Sequence, residues 1–160
     1  MSKSKPYDGL KYERRFFGKQ ALFNPIQLKV FLEGRGHYKS LRNCICDVMA
    51  EQDRINWNPS SPKTAISRYF FEKVQLSLRK QYQKSLRLYC AIGSNLDYFH
   101  GIDGFFWLNG AYYTFDIKIS QKAKVKTTVD LVLCKQAELY RFFRDVAPVV
   151  AEKLQRRIPQ

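Results

Sequence analysis

A chain of 160 residues with 45% hydrophobic and 15% aromatic content is long enough for one domain with a proper core and too apolar to be disordered. No apolar run approaches the ~18 residues of a membrane-spanning helix, and the opening MSKSKPYDGLKYERR lacks the apolar stretch of a secretory signal, so an intracellular protein is expected. Lys and Arg total 28 against 14 Asp and Glu, and a formal net charge of +14 draws a small domain toward polyanions, nucleic acid first and an acidic membrane surface second.

Residues 1–5 are polar and expected to fray. Tyr7 to Phe23 interleaves basic and aromatic residues. Two readings stay open here: a basic arm (about residues 1–23) whose Arg14 and Arg15 touch phosphates, or a peripheral segment that pins its Tyr and Phe to the core. Asn24 and Pro25 suit the cap and first turn of a short helix, ended by Gly34-Arg35-Gly36. Leu41, Ile45, Val48, Met49 and Gln52 recur at three- and four-residue spacing and predict a helix over Tyr38–Gln52. Asn56 to Pro62 is a break. A third helix is expected over Lys63–Gln83, with Ile66, Phe70, Val74 and Leu78 as its stripe and Arg68, Lys73, Arg79, Lys80 and Lys84 outside.

Leu86–Ile92 is short and apolar, as a strand buried on both faces would be. Gly93-Ser94-Asn95 ends it, and LDYFH leads on toward the next strand. Asp97 there is a third acid or a turn residue; His100 is a phosphate contact, an accessory acid or base, or a structural histidine. Asn109-Gly110 then sits between two aromatic and β-branched runs, the strongest short hairpin signal, with strands over Ile102–Leu108 and Ala111–Ile119. A two-residue turn fixes the register: Leu108 faces Ala111, Trp107 faces Tyr112, and Asp103 faces Asp116. Lys118 shares the face of Asp116. Ile102, Phe106, Leu108, Phe115, Ile117 and Ile119 make the core side; Phe105, Trp107 and Tyr112 on the other face point to cover there rather than open water. Beyond the hairpin, Lys122, Lys124 and Lys126 alternate, to track a phosphate backbone or to blunt an edge strand. Val129–Cys134 reads as a fourth strand, and Gln136–Arg157 as a last helix carrying Pro148. Cys44, Cys46, Cys90 and Cys134 have no zinc spacing and are expected as buried thiols in a reducing, cytoplasmic compartment.

Two carboxylates directly opposed on one hairpin repel by on the order of 3 kcal/mol at ~5 Å and an effective dielectric near ~20. A divalent cation reverses that sign. Mg²⁺ takes one or two carboxylates and completes its shell with water and phosphate oxygens, and a neighbouring lysine can orient water and stabilise charge on a phosphate. The rival reading is a solvated hairpin face on which Lys118 neutralises two surface acids.

Gly101-Ile102-Asp103 at a strand start, a short turn, then Asp116-Ile117-Lys118 on the next strand resembles the PD-(D/E)XK nuclease superfamily, which includes restriction enzymes, junction resolvases and phage or plasmid nucleases. The resemblance covers roughly residues 64–134. No proline precedes Asp103. The resemblance implies a restriction-endonuclease-like α/β domain over residues 1–160 with its core at about 64–157. Such a core has a central mixed four-stranded sheet, containing the hairpin, flanked by helices. It also implies Mg²⁺ or Mn²⁺ held by Asp103, Asp116 and the Ile117 carbonyl, with Lys118 placing the water. Glu72 in the preceding helix would complete the set, although on a helical wheel it points away from the apolar stripe. The implied activity is hydrolysis of duplex or branched DNA. Cutting both strands would need a homodimer, a larger DNA-processing complex or a pre-formed junction. An inactive nuclease-fold binding protein is the alternative. A membrane-surface role is disfavoured, because no helix shows a long basic amphipathic face with an exposed apolar side.

Overall fold

In the computed structural model, which describes residues 12–18, 40–118, 129–134 and 138–160, residues 12–17 form a helical segment (α1). It is followed by α2 (Leu41–Ala50), a 3-10 turn (Gln52–Arg54), α3 (Ala65–Ser77), α4 (Lys80–Gln83), β1 (Arg87–Cys90) and α5 (Asn95–His100). Then come β2 (Gly104–Leu108), β3 (Ala111–Lys118), β4 (Leu131–Cys134) and α6 (Leu139–Arg157). The strands form one sheet in the order β1-β2-β3-β4, antiparallel at the first two pairings and parallel between β3 and β4. The expected mixed four-stranded sheet flanked by helices is therefore present.

The hairpin follows from its turn. Asn109 and Gly110 take φ of 47° and 96°, the two positive values a type I′ turn requires. They set Leu108 against Ala111 and Trp107 against Tyr112, and this register runs to Gly104 against Phe115. Because side chains alternate, each face of β2 and β3 has its own cover. Phe106, Leu108, Tyr113 and Phe115 pack with α3, α6 and the α1 phenylalanines. Phe105, Trp107 and Tyr112 pack with Cys44, Ile45 and Val48 of α2 and Leu96 of α5. The second face is covered, as its aromatics suggest, and α2, outside the expected 64–157 core, does the covering. Ile102 belongs to this second cluster, not to the first as alternation predicts; the register shifts one residue before β2, as described below.

The outer edge of β1 is closed by the segment after α2. Buried Gln52 accepts from Cys90 N–H (2.9 Å) and donates to Cys90 C=O (3.1 Å), so a side-chain amide pairs with the edge backbone. Trp57 Nε1 donates to Leu88 C=O (2.8 Å), and Leu88 N–H donates to Pro59 C=O (3.0 Å). An edge so occupied offers no template to another strand.

Ser40 caps α2 and Thr64 caps α3, each accepting from the backbone N–H three residues on. The single helix expected over 63–83 is broken, because Leu78 is extended (ψ 155°) and Arg79 N–H donates to Gln155 Oε1 of α6 at 2.9 Å. LDYFH, read as a lead-in, lies in α5, closed by Gly101 in the left-handed conformation. Cys44, Cys90 and Cys134 are buried, Cys46 is exposed, and all four are free thiols. Among the described residues no helix is long and apolar enough to cross a membrane. The expected helix at Asn24 and Pro25, Gly34-Arg35-Gly36 and Lys122, Lys124 and Lys126 lie outside the described residues.

Candidate active site

At Asp103 the register of the hairpin slips. Its N–H donates to Phe115 C=O (3.0 Å) rather than pairing with Asp116, and its C=O accepts from Ala91 N–H (2.8 Å) beyond β1. Its carboxylate takes over the lost ladder position: Oδ2 accepts from Ile117 N–H at 2.7 Å. A buried backbone donor is thus satisfied by a side chain, and the carboxylate is fixed between two strands. Irregularities of this kind at a strand end re-aim a side chain.

The next residue explains how α1 reaches the same corner. A Cβ on Gly104 would stand 2.6 Å from ring carbons of both Phe17 and Phe115. With only hydrogen there, the Phe17 ring lies nearly parallel to that of Phe115 (centroids 6.1 Å apart, 10° between planes) and meets Trp57 edge-on. Phe16 and Phe17 are 4% and 0% exposed. Glu13 precedes them by three and four residues, so it shares their helix face and is carried inward. Gly18, at φ 101°, ends the segment and donates its N–H to Arg14 C=O.

Glu13 of α1, Asp97 of α5, Asp103 before β2 and Asp116 and Lys118 of β3 therefore converge. Glu13, Asp97 and Asp116 each hydrogen-bond the Asp103 carboxyl group. Asp97 Oδ2 also accepts from Gly93 N–H (3.0 Å), and Lys118 Nζ lies 3.1 Å from Asp116 Oδ2. Asp103 and Asp116 are 1% and 4% exposed, while Lys118 keeps a solvent edge. Burial and mutual repulsion favour the protonated form of Glu13, Asp97 and Asp103. Burial, then the charge of Asp97, lifts Glu13 to about 7 against the opposing hydrogen bond to Asp103. Burial and the neighbouring acids push Asp103 well above the carboxylate range. Burial also raises Asp97, although its bonds from Gly93 and to Asp103 pull the other way. For Lys118, burial pulls the ammonium down, but the Asp116 hydrogen bond and the surrounding acids outweigh it and leave it raised.

The structure brings Asp103, Asp116 and Lys118 together, with Asp97 as a further acid, but Asp103 arrives through the register slip and not through the direct pairing with Asp116 that the hairpin turn predicts. It does not bring Glu72, which lies exposed on α3 on the side away from Phe70 and Val74. The glutamate of the cluster is Glu13, in the segment whose basic residues and aromatics draw attention away from it. Its signal was an acid on the same helix face as two adjacent phenylalanines. Ile117 is buried, with its N–H on Asp103. His100, open between a phosphate contact, an accessory acid or base and a structural histidine, is buried, at 3% exposed. Arg14 and Arg15 are exposed beside Glu13. Among the described residues no group of three or more His, Cys, Asp or Glu side chains stands in a metal-holding arrangement. No protein-family model matches the chain, and neither a curated protein nor a solved structure matches it.

Proposed function

We propose that the chain is a divalent-metal-dependent DNA nuclease of the PD-(D/E)XK type. The observation that carries this reading is the meeting of Glu13, Asp103, Asp116 and Lys118 at the open end of one hairpin. The order of helix, three antiparallel strands and a fourth strand parallel to the third supports it.

The chemistry of the donors is that of a hard cation, although among the described residues the acids, drawn together on shared protons, do not stand in a metal-holding arrangement. Carboxyl groups that hydrogen-bond one another do so through shared protons, and a dication can replace those protons. Neighbouring ligands in an octahedral Mg²⁺ shell are about 3 Å apart for bonds of about 2.1 Å, which is hydrogen-bond spacing. Mg²⁺ also needs few protein ligands and fills its shell with water. Asp103, Asp116 and the Ile117 carbonyl would hold it, with Glu13 completing the set in the place first assigned to Glu72. When bound, such an ion supplies an activated water and an electrophile for the phosphate.

The remaining chemistry belongs to the chain. Asp103 is oriented by Ile117 N–H and Asp116 by Lys118, which lessens the reorganisation needed at reaction. Lys118 stays protonated beside Asp116. Its role is to orient the attacking water and to stabilise charge on the phosphate, not to accept a proton. In-line attack would leave 5′-phosphate and 3′-hydroxyl ends.

Incubation with plasmid, branched DNA and single strands, in Mg²⁺, Mn²⁺ or EDTA, tests the reading. Metal-dependent cleavage that Asp116→Ala removes is expected. Salt-sensitive gel shifts with every substrate uncut would reject the enzyme in favour of a nuclease-fold DNA-binding protein.

A further inference from the structure

Lys118 also lines a cavity of about 140 Å³ enclosed by residues of α1, α3, β3, β4 and α6. Its wall is aromatic and aliphatic, with Tyr12, Leu139, Tyr140 and Phe143, and it carries a second cation, Arg15. Arg15 and the half-exposed Tyr140 make it reachable from solvent. The volume is that of one six-membered ring: an engineered apolar cavity of about 150 Å³ takes benzene. Fused purine rings would protrude from its open side.

Outside the cavity the same chemistry continues. The Tyr140 ring meets Tyr69 of α3 edge-on, with centroids 4.8 Å apart, and Lys73 Nζ sits 5.3 Å from the centre of the Tyr69 ring. Aromatic faces alternating with cations are what single-stranded nucleic acid uses, bases on rings and phosphates on charges. A base inside a duplex must first leave its stack to enter such a cavity, whereas an unpaired one enters directly.

We propose that this cavity receives one unstacked pyrimidine base of the strand whose phosphate lies at Lys118, so that the substrate is nucleic acid with an unpaired nucleotide. The proposal rests on the nuclease reading for the role of Lys118. It makes Tyr140 a binding residue and Arg15 the contact for a flanking phosphate.

The test is binding of a short single strand carrying one 5-methylpyrimidin-2-one, a fluorescent single-ring pyrimidine, to the full chain in EDTA, against the same strand in a duplex. The expected result is altered probe fluorescence in the single strand, and affinity at least roughly ten-fold above that for the duplex, the size of one stacked base. Leu139→Trp, which fills the cavity from its wall, should abolish both. Tyr140→Ala, at a position 45% exposed, should weaken single-strand binding by roughly ten-fold with an unchanged melting temperature, and it decides the matter if Leu139→Trp does not fold. Equal affinity for both forms, or unaltered single-strand binding by a folded variant, overturns the proposal. A protein that binds the probe as expected and never cuts loses the nuclease reading and keeps this one. A protein that cuts duplex as fast as single strands keeps the nuclease reading and loses this one.

Discussion

Glu13 shows how much one residue carries. Its carboxyl group is lifted to about 7 because it is half-buried beside Asp97, Asp103 and Asp116. The folded state therefore holds protons that the unfolded chain, titrating near the ordinary glutamate value of 4.5, has released. Stability from this group is full below the unfolded value and is lost as pH rises through about 7. Asp103, raised in the same direction, adds to the loss. In EDTA the urea midpoint of the wild type is expected to fall between pH 5 and pH 8. Glu13→Gln keeps a hydrogen-bonding side chain without the charge, so its midpoint at pH 8 should exceed that of the wild type. If the acids hold Mg²⁺ as proposed, the ion competes with the same protons, so it should raise the wild-type midpoint at pH 8 and hardly at pH 5. Cleavage by Glu13→Gln should drop by roughly 10²-fold, the size of one lost electrostatic contributor. A variant as active as the wild type, or less stable at pH 8, would remove Glu13 from the site.

Among the elements, two contacts tie helices to the sheet, and only the first assembles the site. Gly104 lets α1 settle on the sheet, since a Cβ would meet Phe17 and Phe115 at 2.6 Å. Gly104→Ala should cost about 1–3 kcal/mol in urea unfolding through overpacking and reduce cleavage further than its stability loss explains, because Glu13 moves with Phe17. The second contact ties α6 to the sheet away from the chemistry. Arg157 forks onto both oxygens of Asp130 (2.9 and 3.0 Å) and donates to Tyr112 C=O (3.0 Å). Asp130 Oδ2 in turn accepts from the N–H and hydroxyl of Thr114 (2.9 and 3.2 Å), whose side chain is fully buried. Asp130→Ala strips the partner from a buried donor, so a loss of about 1–3 kcal/mol is expected by denaturant melt. Cleavage per folded molecule should be unchanged, in contrast to Gly104→Ala.

For the molecule as a whole, what the sequence made legible was what is local. The Asn109-Gly110 turn dictated the register from Leu108 to Gly104, and through it the corner where Asp103, Asp116 and Lys118 meet. The aromatics on the far face announced their cover. Illegible were the features set by distant partners: the register slip at Asp103, imposed by Ala91 and Phe115; the break at Leu78, imposed by Gln155; and the inward turn of Glu13, imposed by Phe17 on Gly104. Charge is likewise a global property with a local exception. The chain carries +14, yet the site gathers four acids around one lysine. A basic surface attracts a phosphate backbone, while in EDTA the corner opposes it only as its acids lose their protons, so the comparison belongs at pH 8, above the Glu13 value of about 7. Binding of uncut single strands in EDTA should therefore be measurable at low salt and weaken steeply with added salt, by a log–log slope of about 0.7 per phosphate neutralised. Ca²⁺, which neutralises carboxylates, should tighten it. Asp116→Asn deletes one repelling charge at the corner, so in EDTA it should bind several-fold more tightly than the wild type, while gaining little from Ca²⁺. Fluorescence anisotropy against salt, with and without Ca²⁺, reads all of these at once. An Asp116→Asn protein that binds like the wild type in EDTA and still responds fully to Ca²⁺ would separate the acidic corner from the path of the nucleic acid.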